Sequence, residues 1–230
     1  MKSAEFAQRL TQIQAEIDLV LQNSLRNRAG LTLIAVTKRQ PLSHVMLAYK
    51  AGLRDFGENQ IQEGVPKVKS APPDVVWHFI GHLQRNKVRE AVKNFHSIHS
   101  VDSNKLLERI DSISGEERLC PEIFLQVNLL HDVDKHGYHP DHVKDALRLA
   151  LSMRNVTCVG LMGIPPLHLD DSALCQFFKG MAELKNELQL AFPDWPGKLS
   201  MGMSSDFVPA IQAGSNYVRI GSALFGERDT

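Results

Sequence analysis

Residues 31–52, "LTLIAVTKRQPLSHVMLAYKAG", decide the fold. The stretch opens on a short apolar run, Leu31 to Val36, of strand length. Lys38, Arg39 and Pro41 end that run. Val45, Met46 and Leu47 then fit a short helix, which Gly52 stops. One β/α unit is complete by Gly52.

The same unit recurs downstream. Strands are expected at 55–57, 75–80, 95–101, 122–128, 156–162, 198–201 and 217–220. Between them lie helical patterns at 59–69, 86–93, 104–113, 140–153, 170–190 and 205–213. Asp102 or Ser103 suits the N-cap of the helix beginning at Asn104. Upstream, Phe6, Leu10, Ile13, Ile17, Val20, Leu21 and Leu25 recur at helical spacing over residues 3–28. Eight strand-helix units after one leading helix predict a parallel sheet, and their number and size predict a (β/α)8 TIM barrel. A doubly wound open sheet is the rival. The domain reading is a single unit, 1–230, with the leading helix at 1–28 and the barrel at 31–228.

Lys+Arg and Asp+Glu both number 26, so the formal net charge is zero. A dedicated nucleic-acid binder usually carries a basic excess, so none is expected. Three cysteines, Cys120, Cys158 and Cys175, form no CxxC pair, and a reducing cytoplasm is the expected compartment. The N-terminus lacks the continuous apolar segment of a signal peptide, and no apolar run reaches membrane-span length.

In such a barrel the strand C-termini form the functional face. Read there, strand one leads to Lys38, strand two to Asn59, and strand three to His78, Gly81, His82 and Gln84. Strand seven leads to SMGMSSD and strand eight to RIGSALFG. Gly221 and Ser222 can present backbone N–H groups, and Ser204 and Ser205 lie where a helix starts. A phosphate between these loops meets several donors, with Arg219 adding a permanent charge. Tight turns alone would also explain the glycines.

Lys38 has two readings. A lysine beyond a strand usually snorkels to solvent, but Arg39 already fits that role. An amine in a partly apolar mouth loses solvation, its pKa falls from about 10.4, and it becomes a nucleophile toward aldehydes. Phosphate site and lysine together point to a phosphorylated aldehyde, either pyridoxal 5'-phosphate (PLP) or an aldolase substrate. For an aldolase, Glu58 or Asp102 could be the acid/base.

AVTKRQP, FGENQIQE, WHFIGHLQRNK, SVDS, QVN, KHG, GLMGI, LSMGMSSDFVPAI and VRIGSALFGER follow one another in this order. Together they resemble the YggS/PROSC family of PLP homeostasis proteins, from about Leu31 to Arg228. That family is similar to the barrel domain of alanine racemase, fold type III of the PLP enzymes. The resemblance implies PLP held as a Schiff base on Lys38. It implies a phosphate held by Ser204, Gly221 and Ser222, with Arg219 beside either the ring nitrogen or the phosphate. Asn59, His82, Ser200 and Met201 match family positions that line the pocket. An Arg219 at the ring nitrogen would disfavour its protonation and leave a poor electron sink.

The function implied is non-catalytic: buffering or delivery of PLP, that is, vitamin B6 homeostasis. The partners implied are PLP and, transiently, PLP-dependent apo-enzymes. The alternative is an amino-acid racemase of the alanine type. A two-base racemase needs a second acid/base opposite the lysine, and in alanine racemase that group is a tyrosine from a separate β-domain of the partner subunit. This chain has Tyr49, Tyr138 and Tyr217, of which only Tyr138 could reach the mouth, and its HGYHP context gives no reason to expect that it does. Ending after the barrel, the chain is expected to lack that domain and its interface, hence to be a monomer.

No metal site is expected. His78 and His82 lie on a strand end, and His131, His136, His139 and His142 read as a solvated loop with Asp132 and Asp134. Lys135 in that loop is either a solvent lysine or an attractor of anions, including PLP. Met201 and Met203 read as packing around a ring.

Overall fold

The computed structural model describes residues 1–132 and 135–226. Eight strands form: β1 Thr32–Val36, β2 Asp55–Glu58, β3 Val76–Phe79 and β4 Ser97–Val101, then β5 Glu122–Val127, β6 Thr157–Gly163, β7 Lys198–Met203 and β8 Tyr217–Ile220. All neighbouring pairs are parallel, and β1 pairs with β8 through Ile34↔Arg219 and Ala35↔Ile220. The sheet is therefore a closed TIM barrel, not a doubly wound open sheet.

The intervening helices are α2 Leu42–Lys50, α3 Ile61–Ser70, α4 Val88–Asn94, α5 Asn104–Glu117, α6 Pro140–Ser152, α7 Asp171–Ala191, α8 Phe207–Gln212 and the single turn α9 Ser222–Phe225. The leading helix α1 spans Ser3–Asn23 and lies against α8 and α9, with the Phe6 ring 5.6 Å from Phe225. It ends earlier than its periodicity suggests. Leu25 takes a left-handed φ of 53° and is 96% exposed, so it is not part of the buried face. The cause is Arg26, whose guanidinium donates to the Ile211 and Ser215 carbonyls at 2.6 and 2.7 Å and turns the chain toward β1. Among the described residues, no helix is long and apolar enough to cross a membrane.

The period of two along β1 sets the site. Leu33 and Ala35 join the main core between strands and helices, while Ile34 and Val36 face the barrel axis. Thr37 continues the outward set and Lys38 the inward one. The axis itself is mixed. Phe124, Val159 and Met162 form a small apolar cluster with Ile164 and Tyr217, and His78, Ser97, His99, Ser200 and Arg219 are buried polar groups.

Candidate functional site

A cavity of about 280 Å³ opens at the C-terminal ends of the strands. Val36, Lys38, Asn59, Ile80, Ile164, Met203, Ser204, Ser205, Arg219, Gly221 and Ser222 line it. The volume lies near the lower end of the roughly 300–1,000 Å³ typical of small-molecule sites. Lys38, Asn59, Ser204, Arg219, Gly221 and Ser222 thus come together as the sequence reading expects.

Lys38 is held from outside the barrel wall. The Thr37 carbonyl, one residue before it, accepts from Lys67 Nζ at 2.7 Å. The same ammonium bonds Glu58 and Glu63, each at 2.7 Å. Thr37 Oγ1 donates to Glu58 at 2.6 Å, and the Arg39 N–H donates to Glu63. Helix α3 therefore grips the backbone on both sides of Lys38. Arg39, exposed with φ 58°, takes the solvent role. Burial pushes the Glu58 carboxyl up, against the opposing pull of Lys67 and Thr37. Glu58 faces α3 and not the mouth, so it is no candidate acid/base for a substrate on Lys38. Asp102 lines a neighbouring groove instead.

The loops after β7 and β8 face each other. Ser204 Oγ accepts from the Gly221 N–H at 3.0 Å and the Ala223 N–H at 3.2 Å. These are donors an incoming anion would use. The Asp206 carboxylate accepts from the Met203 N–H and closes the Ser204–Ser205 turn.

Arg219 forms the inner wall. It is 4% exposed and, among the described residues, makes no salt bridge. Its Nη1 donates to Ser200 Oγ at 2.9 Å and its Nη2 to the Gly163 carbonyl at 3.0 Å. Burial lowers its pKa to about 10. Asp206 favours the charged form without forming an ion pair with it, so the guanidinium stays costly to bury, and a lone pair or anion in the cavity would relieve that cost. Asn59 adds a second unmet need, since its buried Oδ1 has no partner among the described residues. Gly81 permits this placement: a Cβ there would lie 2.1 Å from the Asn59 carbonyl oxygen.

Three expected lining residues sit elsewhere. Met201 is fully buried in the outer core, because Ser200 before it faces the axis and neighbours on a strand face opposite ways. Met203 lines the cavity instead. The β7–β8 register shifts between Ser200↔Tyr217 and Met203↔Arg219, a bulge at Gly202 with φ 94° that returns Met203 to the inner face. Ser200 lies beneath Arg219, out of the cavity. His82 lines an adjoining cavity of about 220 Å³ that shares Asn59, Ile80 and Ile164 with the first.

His82 stacks on His136 with centroids 3.9 Å apart, and its Nδ1 lies 3.3 Å from Asp102. The three could supply metal-ligand atoms. The rings are within 14° of parallel, however, so their lone pairs run side by side and do not converge. The expected His loop divides. His136 joins His82, while His131, His139 and His142 pack on one another, and Asp134 lies outside the described residues. Lys135 does not point to solvent. Its Nζ donates to the Ile164 and Pro165 carbonyls, and burial lowers its pKa. Tyr138 is buried in the core, its hydroxyl without a partner among the described residues, so it does not reach the mouth.

The sequence model of the alanine racemase N-terminal domain matches residues 10–229. The pyridoxal phosphate homeostasis protein of Vibrio cholerae is 37% identical over 227 residues, covering 96% of each chain. That of Synechocystis is 38% identical over 218 residues, covering 94% of this chain and 97% of its own. This chain belongs to the pyridoxal phosphate homeostasis protein family. A solved relative, PipY of Synechococcus elongatus PCC7942, is 38% identical, with a TM-score of 0.88 without PLP and 0.86 with PLP bound. Each comparison covers 96% of this chain and all of PipY. The family pattern spans both walls of the cavity, from Lys38 to Ser222.

Proposed function

We propose that this chain holds PLP in the Lys38 cavity and takes part in vitamin B6 homeostasis, buffering or delivering the cofactor. The observation that carries the reading is the meeting of Lys38, Arg219 and the Ser204 and Gly221 loops in one cavity. The donor set fits the cofactor. The Gly221 and Ala223 N–H groups and the Ser204 and Ser222 hydroxyls suit a phosphate, Arg219 suits the ring nitrogen, and the partnerless Asn59 Oδ1 suits a donor. Bound PLP supplies an aldehyde that condenses with an amine. The PLP-bound relative and the names of the curated relatives support this assignment.

The protein's own residues favour holding over turnover. Val36, Ile80, Ile164 and Met203 cover the cavity with apolar surface and limit water at Lys38. Lys67 and Glu63 fix the backbone that carries Lys38. Among the described lining residues, Lys38 is the one ordinary base, whereas racemisation by two bases needs another on the opposite face. The proposal has the protein in the cytoplasm, as a monomer in transient contact with PLP-dependent apo-enzymes.

The test is an absorption spectrum of the full chain with PLP, beside Lys38→Ala. A band that borohydride fixes to Lys38 in the wild type, and that the variant lacks, is expected. A band indifferent to Lys38 overturns the assignment. Adding L- and D-alanine to the loaded protein tests the non-catalytic part, which sustained interconversion would sink.

A further inference from the structure

An unbroken hydrogen-bond chain crosses the barrel interior. Asp55 Oδ1, at the start of β2, lies 3.0 Å from His78 Nε2. His78 Nδ1 is 2.6 Å from Ser97 Oγ, which is 2.9 Å from His99 Nε2. His99 Nδ1 is 2.8 Å from Ser200 Oγ, which accepts from Arg219 Nη1 at 2.9 Å. His78, Ser97, His99, Ser200 and Arg219 are all at most 4% exposed, while the Asp55 side chain is 31% exposed.

We propose that Asp55, His78, Ser97, His99 and Ser200 form a one-directional relay that fixes the Arg219 guanidinium at the cofactor cavity. The proposed direction combines the two ends with an imidazole that has one N–H at each histidine. A carboxylate only accepts and a guanidinium only donates. His78 therefore gives Nε2–H to Asp55, and its bare Nδ1 accepts the Ser97 hydroxyl hydrogen. Ser97 oxygen accepts His99 Nε2–H. His99 Nδ1 accepts the Ser200 hydroxyl hydrogen, which leaves the Ser200 oxygen to accept from Arg219. With both rings as Nε2–H tautomers every group is satisfied and every dipole points toward Asp55, and the His99 Nε2–H is also shared with the His78 Nδ1 3.2 Å away.

The surroundings support that state. Burial first, and the charge of Arg219 with it, hold His99 well below its ordinary pKa. Phe124 stacks on His99 with centroids 4.2 Å apart, and Tyr217 packs edge-on against both imidazoles. Lys198 Nζ lies 3.4 Å from the Tyr217 hydroxyl. These contacts lock both ring planes. Ser200, His99 and the groups behind them are positioning residues: they act on PLP only through Arg219. The function of the relay rests on PLP occupying the cavity, but its direction does not.

The test has two arms. In the full chain without PLP, ¹⁵N NMR of labelled histidine is expected to show His78 and His99 as neutral Nε2–H tautomers. An Nδ1–H or charged form of either ring at neutral pH overturns the relay. With PLP loaded, Ser200→Ala and His99→Phe are expected to keep one PLP per chain. Each shifts the pH midpoint of the bound-PLP absorption band by about one pH unit, as loss of a fixed neighbouring charge does. His99→Asn, which keeps an acceptor for the Ser200 hydroxyl, is expected to restore most of that shift. Unchanged midpoints in folded variants refute positioning. If His99→Phe does not fold, Ser200→Ala decides the matter alone. If wild type takes up no PLP at Lys38, the cofactor reading fails by itself. The NMR arm, extended to the Arg219 guanidinium signals in Ser200→Ala, then still decides the relay.

Discussion

Lys67→Met is the sharpest probe of how Lys38 is held. The substitution keeps the buried stem and removes the ammonium that Glu58, Glu63 and the Thr37 carbonyl share. Glu58 is fully buried, and Thr37 Oγ1 is its one remaining hydrogen-bond partner among the described residues. Breaking such a pair costs about 3–5 kcal/mol. Protonation sets a ceiling on the carboxylate's share. From 4.5 to pH 7 is 2.5 pH units, and at about 1.36 kcal/mol each the ceiling is about 3.4 kcal/mol. At pH 5 it is below about 1 kcal/mol. The sign follows from linkage. Burial raises the folded-state pKa of Glu58, and without Lys67 it rises further. Between the unfolded and folded values the folded state binds more protons, so stability falls as pH rises. The orphaned Thr37 carbonyl adds about 1 kcal/mol at every pH. Denaturant unfolding of wild type and Lys67→Met at pH 5 and 7 reads this directly. A loss of roughly 3–4 kcal/mol at pH 7, shrinking to roughly 1–2 at pH 5, is expected. Adding Glu58→Gln should recover part of the loss at pH 7. A pH-independent loss, or one that Glu58→Gln deepens, would falsify the account. The same variant should load PLP less completely, because the backbone before Lys38 loses its anchor.

Three further outcomes are expected. Gly81→Ala places a Cβ against Asn59 backbone with no flexible atom to yield, so PLP loading should fall sharply, and a wild-type spectrum would refute the packing. Met201→Ala should cost about 2–5 kcal/mol of stability, as a fully buried core truncation, without moving the PLP band. Met203→Ala should move the band at little cost in stability, and the reverse pattern would invalidate the bulge assignment at Gly202. Thiol titration of the native protein at pH 8 should find Cys120 and Cys175 reacting promptly and Cys158 slowly, since burial pushes the Cys158 thiol up to about 12. Three equally fast thiols would contradict that burial.

Much of the architecture was legible because apolar runs, turn glycines and helical spacing all pointed one way. The inward turn of Lys38 follows from the period of two through Ile34 and Val36. What escaped was what periodicity does not carry. Met201 and Met203 look alike in SMGMS, and only the bulge at Gly202 says which faces inward. Leu25 fits the helical spacing, but the helix yields to Arg26 reaching the Ile211 and Ser215 carbonyls at and beyond the end of α8. Lys67 reads as one more charge on a polar helix. Glu63 lies at i,i+4 on the same helix, as spacing allows, but its role depends also on Glu58 on the preceding strand, a relation that distances show and spacing does not. In the sequence His78 reads as a metal ligand to be set aside, and His99 draws no reading, although both are histidines on inward strand positions.

A barrel interior is ordinarily filled by branched apolar side chains. Here two imidazoles, two hydroxyls and a guanidinium occupy it, and apolar replacements of similar size would pack there without the desolvation cost. The placement of that cost is informative. Lys38 is gripped from the outer side of the wall by Lys67 and Glu63, and Arg219 from the inner side by Ser200. The two groups that would meet the aldehyde and the ring are therefore held by separate networks on opposite faces of the sheet. Breaking one network leaves the other intact. Lys67→Met should weaken attachment while the pH response of any bound PLP stays near wild type. Ser200→Ala should do the converse. A variant of either network that moved both properties together would show that the sheet couples them.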